Sequence, residues 1–85
     1  MDIATSVRLA EAKTGQFFQV NGMTVEGVLR RRLLDLGLVP GARIEVLQKS
    51  PLGDPVAFRI NSMTIALRKE ETDRIFGQLV KGEEQ

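Results

Sequence analysis

The chain has 85 residues, of which 42% are hydrophobic and 27% charged, and its formal net charge is +1. This length and balance indicate one small globular domain, near the lower size limit at which a core is stable without cross-links. Cysteine and histidine are absent, which excludes disulfides, thiolate metal sites and the usual nucleophile–base pairs. A net charge near zero argues against strong nonspecific attraction to nucleic acid or to an anionic membrane.

The N-terminus has no basic segment followed by an apolar run, and no apolar stretch approaches the ~20 residues that span a bilayer. We therefore expect a soluble, cytoplasmic protein. The lack of cysteine fits the reducing interior of a cell.

The first part of the chain predicts a turn and one strand. Residues 1–13 fit a short turn that places Leu9 inward. Residues 16–20 are rich in aromatic and β-branched side chains, which favour a half-buried strand. Asn21 and Gly22 are expected to end this strand.

A helix is predicted from Thr24, as its N-cap, to about residue 36. At about 100° per residue, five apolar side chains gather on the face assigned to the core: Val25, Val28, Leu29, Leu33 and Leu36. Leu34 falls on the opposite side, among Arg30, Arg31 and Gly27. Glycine within a helix costs up to ~1 kcal/mol relative to alanine, so Gly27 indicates close packing against the backbone.

The helix is expected to end in a glycine cap followed by a tight turn. Gly37 fits the left-handed position of a Schellman motif, in which Leu38 folds back on Leu33. Pro40 and Gly41 fit the central positions of a type II turn, because proline fixes its own φ and glycine accepts the positive φ that follows.

Four strands and a helical turn are predicted for the rest of the chain. Alternating apolar residues place the strands at 42–49, 56–60 and 63–67, with a last short strand at 75–80. The connections are a loop rich in proline and glycine at 50–55, a hairpin turn at 61–62 and a helical turn at 69–74.

These elements predict a mainly β fold with one inserted α-helix, in the form of a small, partly open β-barrel of about five strands. We expect residues 6–80 to form one domain and residues 81–85 to be a flexible tail. The open edges of such a barrel also leave a weak homo-oligomer open as an expectation.

Three motifs in this order resemble the FeoA family: LxxLGLxPG at residues 33–41, SPLGDPV at 50–56 and ALRKEE at 66–71. The resemblance covers approximately residues 9–80. It implies an SH3-like barrel and a role in bacterial ferrous iron uptake. The implied role is that of a small cytoplasmic accessory protein that binds the membrane transporter FeoB and modulates its assembly or activity, and that reaches the membrane only through this partner.

The family resemblance also leaves an alternative function, since similar domains occur at the C-terminus of DtxR-like metal-dependent repressors. That alternative is a metal-sensing or nucleic-acid-binding regulatory domain. The chain has no room for the helix-turn-helix and dimerisation parts of those repressors, which favours the free-standing accessory protein.

The residues indicate no enzyme, no cofactor and no dedicated metal site. Glu70, Glu71 and Asp73 form a carboxylate cluster that fits a solvated face better than acid–base catalysis. Together with Glu45 and Asp54, they leave only oxygen ligands for a weakly held cation.

Nucleic-acid binding is an alternative role for the arginine side chains. It would draw on Arg30, Arg31, Arg43, Arg59 and Arg68, but the four phenylalanines are expected to be buried and to offer few stacking platforms. We therefore expect no nucleic-acid partner.

The favoured interpretation is a protein-docking surface formed by Leu34, Arg30, Arg31 and Gly27, extended by Leu52 in the loop or by Leu47. An apolar centre ringed by arginine is a typical interface composition. The opposing interpretation is that a single exposed leucine is common and has no function.

Overall fold

The structure, a computed structural model, describes residues 6–82. Its elements, in chain order, are β1 (Val7–Arg8), a 3-10 turn (Leu9–Glu11), β2 (Phe17–Met23), α1 (Gly27–Leu36), β3 (Arg43–Lys49), β4 (Val56–Ile60), β5 (Met63–Leu67), α2 (Lys69–Thr72) and β6 (Ile75–Val80).

All six strands belong to one antiparallel sheet in the order β1-β6-β2-β3-β4-β5. The mainly β fold with one inserted α-helix is therefore confirmed, and each of the five predicted strands is present. The sixth strand, β1, has two residues, which is too short for an alternation to be recognised in the sequence. It exists because Val7 and Arg8 pair with Gly77 and Phe76 of β6.

The core lies on the inner face of the sheet, where alternate side chains of β2 to β6 form one cluster with Leu33 of the helix. Thirteen hydrophobic residues are buried there: Leu9, Ala12, Phe18, Val20, Val25, Leu33, Leu38, Ile44, Val46, Phe58, Ile60, Leu67 and Ile75. Leu9 points inward as predicted. The period of two in β3 and β4 correctly identified their inner faces, because one side of each strand is covered by the core.

The strand β2 is longer than predicted, since Asn21 and Gly22 do not end it. The register with β6 shifts between Val20 and Gly22, so a β-bulge accommodates one extra residue. Beyond the bulge, Met23 still pairs with Ile75. An Asn-Gly pair forms a turn only where the chain reverses, and the long partner strand keeps the chain extended here.

The start of α1 also differs from the prediction. The residue before the first helical turn is Glu26, and Thr24 instead donates its backbone N–H to the carbonyl of Arg74 at 2.9 Å. Because the helix begins after residue 26, Val25 does not belong to the helical wheel. Val25 is buried, whereas Val28 is 86% exposed, so the assignment of Val28 to the core was wrong.

The end of α1 and the following turn are confirmed. Gly37 has a φ of +111°, and the N–H groups of Gly37 and Leu38 donate to the carbonyls of Leu34 and Leu33, both at 3.0 Å. These are the two bonds of a Schellman motif. Gly41 has a φ of +94°, as the third position of a type II turn requires.

A candidate docking surface on the helix

The inner side of α1 packs against the core, so its outer side is the side that a partner can reach. Leu33 is fully buried, and Leu29 and Leu36 pack against the core. At the N-terminal end, Val25 and Leu29 line a small cleft with Glu70, Glu71 and Arg74, which places this end beside α2. A surface on the opposite side of α1 is therefore held rigidly by the core.

The structure brings four of the five predicted partner-binding residues to this outer side. Arg30, Arg31 and Gly27 are exposed, and Leu34 is half-buried. Leu34 is therefore less accessible than an isolated helical wheel implies. The guanidinium of Arg30 lies 3.5 Å from the carbonyl oxygen of Met23, which holds its stem towards the end of β2.

Gly27 has a different role from the one predicted. A Cβ at this position would meet no atom within 4 Å, so no neighbour packs closely against its backbone. Its φ is +68°, a conformation that side chains other than glycine rarely adopt. Glycine is therefore needed because the chain enters the helix through a left-handed conformation.

Val28 is the exposed apolar residue of the helix that the sequence did not reveal. Val28, Arg31 and Leu34 are spaced three residues apart, so they form one stripe along the outer side with the arginine at its centre. We call Gly27, Val28, Arg30, Arg31 and Leu34 the α1 surface. The signal that identifies Val28 is the position of the helix start, which sequence periodicity alone does not give.

The α1 surface is basic. Arg30, Arg31 and Arg32 are all exposed, and Asp35 is the acidic residue within the helix. The ion pairs among residues 6–82 join other residues, namely Arg8 with Glu11 and Asp73, Arg59 with Glu45, and Lys69 with Asp73. The three arginines are thus available to acidic groups of a partner.

Leu52, the fifth predicted residue, is 94% exposed but lies on a separate element. Its loop is held to α2, because Asp54 accepts a hydrogen bond of 2.8 Å from the backbone N–H of Lys69. The side of α2 that faces α1 carries Glu70 and Glu71. Leu52 is therefore a second exposed apolar point, not an extension of the α1 surface. Leu47 lies at a bulge of β3 and is half-buried.

Four of the five carboxylates considered as ligands or catalysts have structural partners, namely Glu45, Asp54, Glu71 and Asp73. Glu71 accepts a hydrogen bond from the backbone of Arg68 at 2.8 Å, and Asp73 pairs with both Arg8 and Lys69. Within residues 6–82, no three acidic side chains form a group that would hold a metal ion. The Glu11 carboxylate accepts one hydrogen bond from the backbone N–H of Arg8 and one from the Arg8 side chain. These bonds, of which the backbone bond has the larger effect, lower the pKa of the carboxyl below its ordinary value of 4.5.

Two of the other arginines named for nucleic-acid binding, Arg43 and Arg59, line one cleft of the sheet with Phe17, whereas Arg68 directly precedes α2. The Arg43 guanidinium lies 5.7 Å from the ring centroid of Phe17 and donates to the carbonyl of Lys81. Arg59 pairs with Glu45 at 3.7 Å. Phe18 and Phe58 are buried and so are not available to stack on a base. Phe17 and Phe76 are half-buried, so the expectation that all four phenylalanines are buried was wrong for these two.

The family model of the FeoA domain matches residues 7–79. The chain belongs to the FeoA domain family. A relative from Porphyromonas gingivalis, described as a fusion of Fe(2+) transport protein A with the Fe(2+) transporter FeoB, is 38% identical over 74 residues. The alignment covers 87% of this FeoA domain but 9% of that relative, so the chain spans about a tenth of the fused protein.

Solved structures agree with the fold of this FeoA domain. The FeoA protein of Chlorobium tepidum superposes with a TM-score of 0.84 at 40% identity, covering 92% of this chain and 74% of that one. The Stenotrophomonas maltophilia FeoA complexed with zinc, described as a prokaryotic SH3 domain protein, has a TM-score of 0.74 at 25% identity over 85% and 89% of the two chains. The predicted SH3-like barrel is thereby confirmed.

A manganese-dependent transcriptional repressor also superposes, with a TM-score of 0.77, over 88% of this FeoA domain and 42% of the repressor chain. Its sequence identity is 17%, so the likeness shows the fold alone. Among residues 6–82, no helix has the length and apolar content needed to cross a membrane.

Proposed function

We propose that this FeoA domain is an accessory protein of ferrous iron uptake that binds a FeoB-type transporter on its cytoplasmic side and modulates the assembly or activity of that transporter. The observation that carries the proposal is the fused relative, in which a domain similar to this chain shares one polypeptide with the transporter. Fusion keeps two modules at high effective concentration, which favours contact between them.

The α1 surface has the composition expected of the contact. Val28 supplies an exposed apolar side chain, Leu34 extends the apolar stripe, and Arg30 and Arg31 flank it. Apolar anchors and arginine are enriched at protein interfaces, and a basic surface selects an acidic partner surface. Gly27 leaves the first turn of the helix without a side chain, so a partner's backbone can approach there.

Leu52 is proposed as a second contact on the same partner. It projects from a loop that the bond between Asp54 and Lys69 holds in place. A loop held in this way loses little conformational freedom on binding, so an exposed leucine at its tip adds affinity at low entropic cost.

The proposal is tested by copurification with a detergent-solubilised FeoB-type transporter, with and without GTP. The wild-type chain is expected to be retained. The double change Arg30→Glu/Arg31→Glu should weaken binding about tenfold or more, because it replaces attraction to acidic groups by repulsion. Leu34→Gln and Val28→Gln should each weaken binding by removing apolar contact.

The matched control is Lys13→Glu/Lys81→Glu, which makes the same charge change at two exposed positions outside both the helix and the loop that carries Leu52. This variant should be retained like the wild type. Loss of retention in the control would show that net charge, not the α1 surface, governs binding. If the wild-type chain is not retained in any nucleotide state, the proposed partnership is wrong.

A further inference from the structure

One edge of the sheet is a full-length strand with an unpaired side. β5 ends the strand order, and within residues 6–82 it pairs with β4 alone. The opposite edge, β1, has two residues and runs directly into the 3-10 turn. Among residues 6–82, only the β5 edge therefore presents an extended row of free backbone groups.

Strand β5 lacks the features that normally prevent an edge strand from pairing with another chain. Its sequence, MTIAL, contains no charged residue and no proline, and its five pairs with β4 follow in register without a bulge. Charged side chains, prolines and bulges are the usual means by which edge strands avoid pairing with other chains. This edge is consequently competent to accept another strand.

The backbone groups that point outward can be identified from the pairing. Ile60 and Met63 close the two-residue turn and so form a hydrogen-bonded pair. Because hydrogen-bonded and non-bonded pairs alternate along an antiparallel ladder, Thr64 and Ala66 form the non-bonded pairs with β4. Their N–H and C=O groups therefore face the free edge.

The inner face of β5 is apolar and becomes more exposed towards the turn. Leu67 is 4% exposed, Ile65 is half-buried and Met63 is 41% exposed. These three side chains form the border of the core on the open side of the barrel. A strand added here would cover them if it carried apolar residues at alternate positions.

We propose that the β5 edge pairs antiparallel with β5 of a second copy of this chain, with Ile65 on the two-fold axis. In this register Thr64 of each copy lies opposite Ala66 of the other copy. The two pairs related by the axis each exchange two backbone hydrogen bonds, about four in all, so every outward backbone group has a partner. The inference is independent of the proposed function.

A second copy fits the edge in its side chains as well as its backbone. Ile65 packs on Ile65 of the second copy, and Met63 lies opposite its Leu67, which continues the core across the axis. Arg68 falls opposite Ser62 of the second copy, so no like charges meet. On the outer face, Thr64 and Ala66 are small and exposed and leave the approach clear.

The test is sedimentation equilibrium of the full chain from about 10 µM to about 1 mM, where a weak dimer is populated. The wild type is expected to associate to a dimer. Thr64→Lys/Ala66→Lys should reduce the association constant about tenfold or more, because it sets two ammonium groups opposite each other on both sides of the axis. Thr64→Glu/Ala66→Lys should keep or tighten the dimer, because the same axis sets each carboxylate opposite an ammonium.

Both variants change exposed outer-face residues, and an unchanged circular dichroism spectrum verifies their folding. A wild-type chain that stays monomeric up to about 1 mM overturns the proposal and leaves the edge to a strand of another protein. Persistence of the dimer in the double-lysine variant also overturns it. Dissociation of the glutamate–lysine variant shows that the register centred on Ile65 is wrong. None of these outcomes bears on copurification with a transporter.

Discussion

Gly77 shows how one small residue sets the spacing between two strands. It is buried in β6 opposite Val20 of β2. A Cβ at this position would overlap the carbonyl oxygen of Gln19 and lie 2.8 Å from a ring carbon of Phe18. Glycine is required here by the close approach of the two backbones, not by a left-handed φ.

We predict that Gly77→Ala lowers the free energy of unfolding by about 2–3 kcal/mol, because a backbone oxygen and a buried ring must both move to admit the methyl group. In a domain of this size, that loss lowers Tm by roughly 10 °C or more. Thermal unfolding followed by circular dichroism measures it.

Gly22→Ala is the matched control, since Gly22 lies in β2 opposite Phe76 and a Cβ there would meet no atom within 4 Å. Its Tm should stay the same or rise slightly. Equal losses in the two variants would show that the cost comes from replacing glycine in a strand and not from the contact with Gln19.

The sequence predicts well those elements that depend on residues close together along the chain. The glycine cap at Gly37, the Pro40-Gly41 turn and the alternating strands depend on residues close together in sequence, and they were predicted correctly. The start of α1 depends on the bond between Thr24 and Arg74, which are 50 positions apart along the chain. No local pattern reveals that bond, so Val28 was assigned to the core.

The candidate site was predictable to the same extent. The helical wheel placed Arg30, Arg31 and Leu34 on the outer side, but it misplaced Val28 because its core face was drawn through Val25, which precedes the helix. The exposure of Leu52 followed from its loop. Its separation from the helix depends on how α2 packs, and this is a tertiary feature.

The two neighbouring leucines of α1 are predicted to respond differently to substitution. Leu33→Ala should lower the free energy of unfolding by about 2–5 kcal/mol, because Leu33 is fully buried and its removal leaves a cavity. Leu34→Gln should change it by no more than about 1 kcal/mol, because Leu34 is half-buried. Urea unfolding of both variants gives the comparison.

Val28→Gln provides the reference for a fully exposed helix position and should lie within about 0.5 kcal/mol of the wild type. A loss for Leu34→Gln as large as that for Leu33→Ala would contradict the assignment of faces on α1.

At the scale of the whole molecule, the C-terminal boundary of the domain can be tested. The predicted boundary at residue 80 stays a prediction, and residues 83–85 lie outside the described part of the chain. The carbonyl of Lys81 accepts a hydrogen bond from Arg43. A Cβ at Gly82 would lie 3.0 Å from the ring of Phe17, so the chain runs close to this ring after β6.

Truncation after residue 80 is therefore predicted to remove about 1 kcal/mol of stability, since it deletes the acceptor for Arg43 and uncovers the Phe17 ring. This corresponds to a Tm lowered by about 4–8 °C. Truncation after residue 82 should leave Tm unchanged and is the control. Equal Tm values for both truncations would place the boundary at residue 80.

The position of β6 has a consequence for the order in which the protein folds. This last strand is inserted between β1 and β2, which both come from the start of the chain. Strands β3, β4 and β5 are successive neighbours, so they can form a meander while later residues are still being synthesised. Strand β2 can join this meander by pairing with β3, but β1 must wait, because β6 is its partner and is made after the other strands. Pairing over so many residues is slow relative to local contacts, and the domain is completed only after its final strand has left the ribosome.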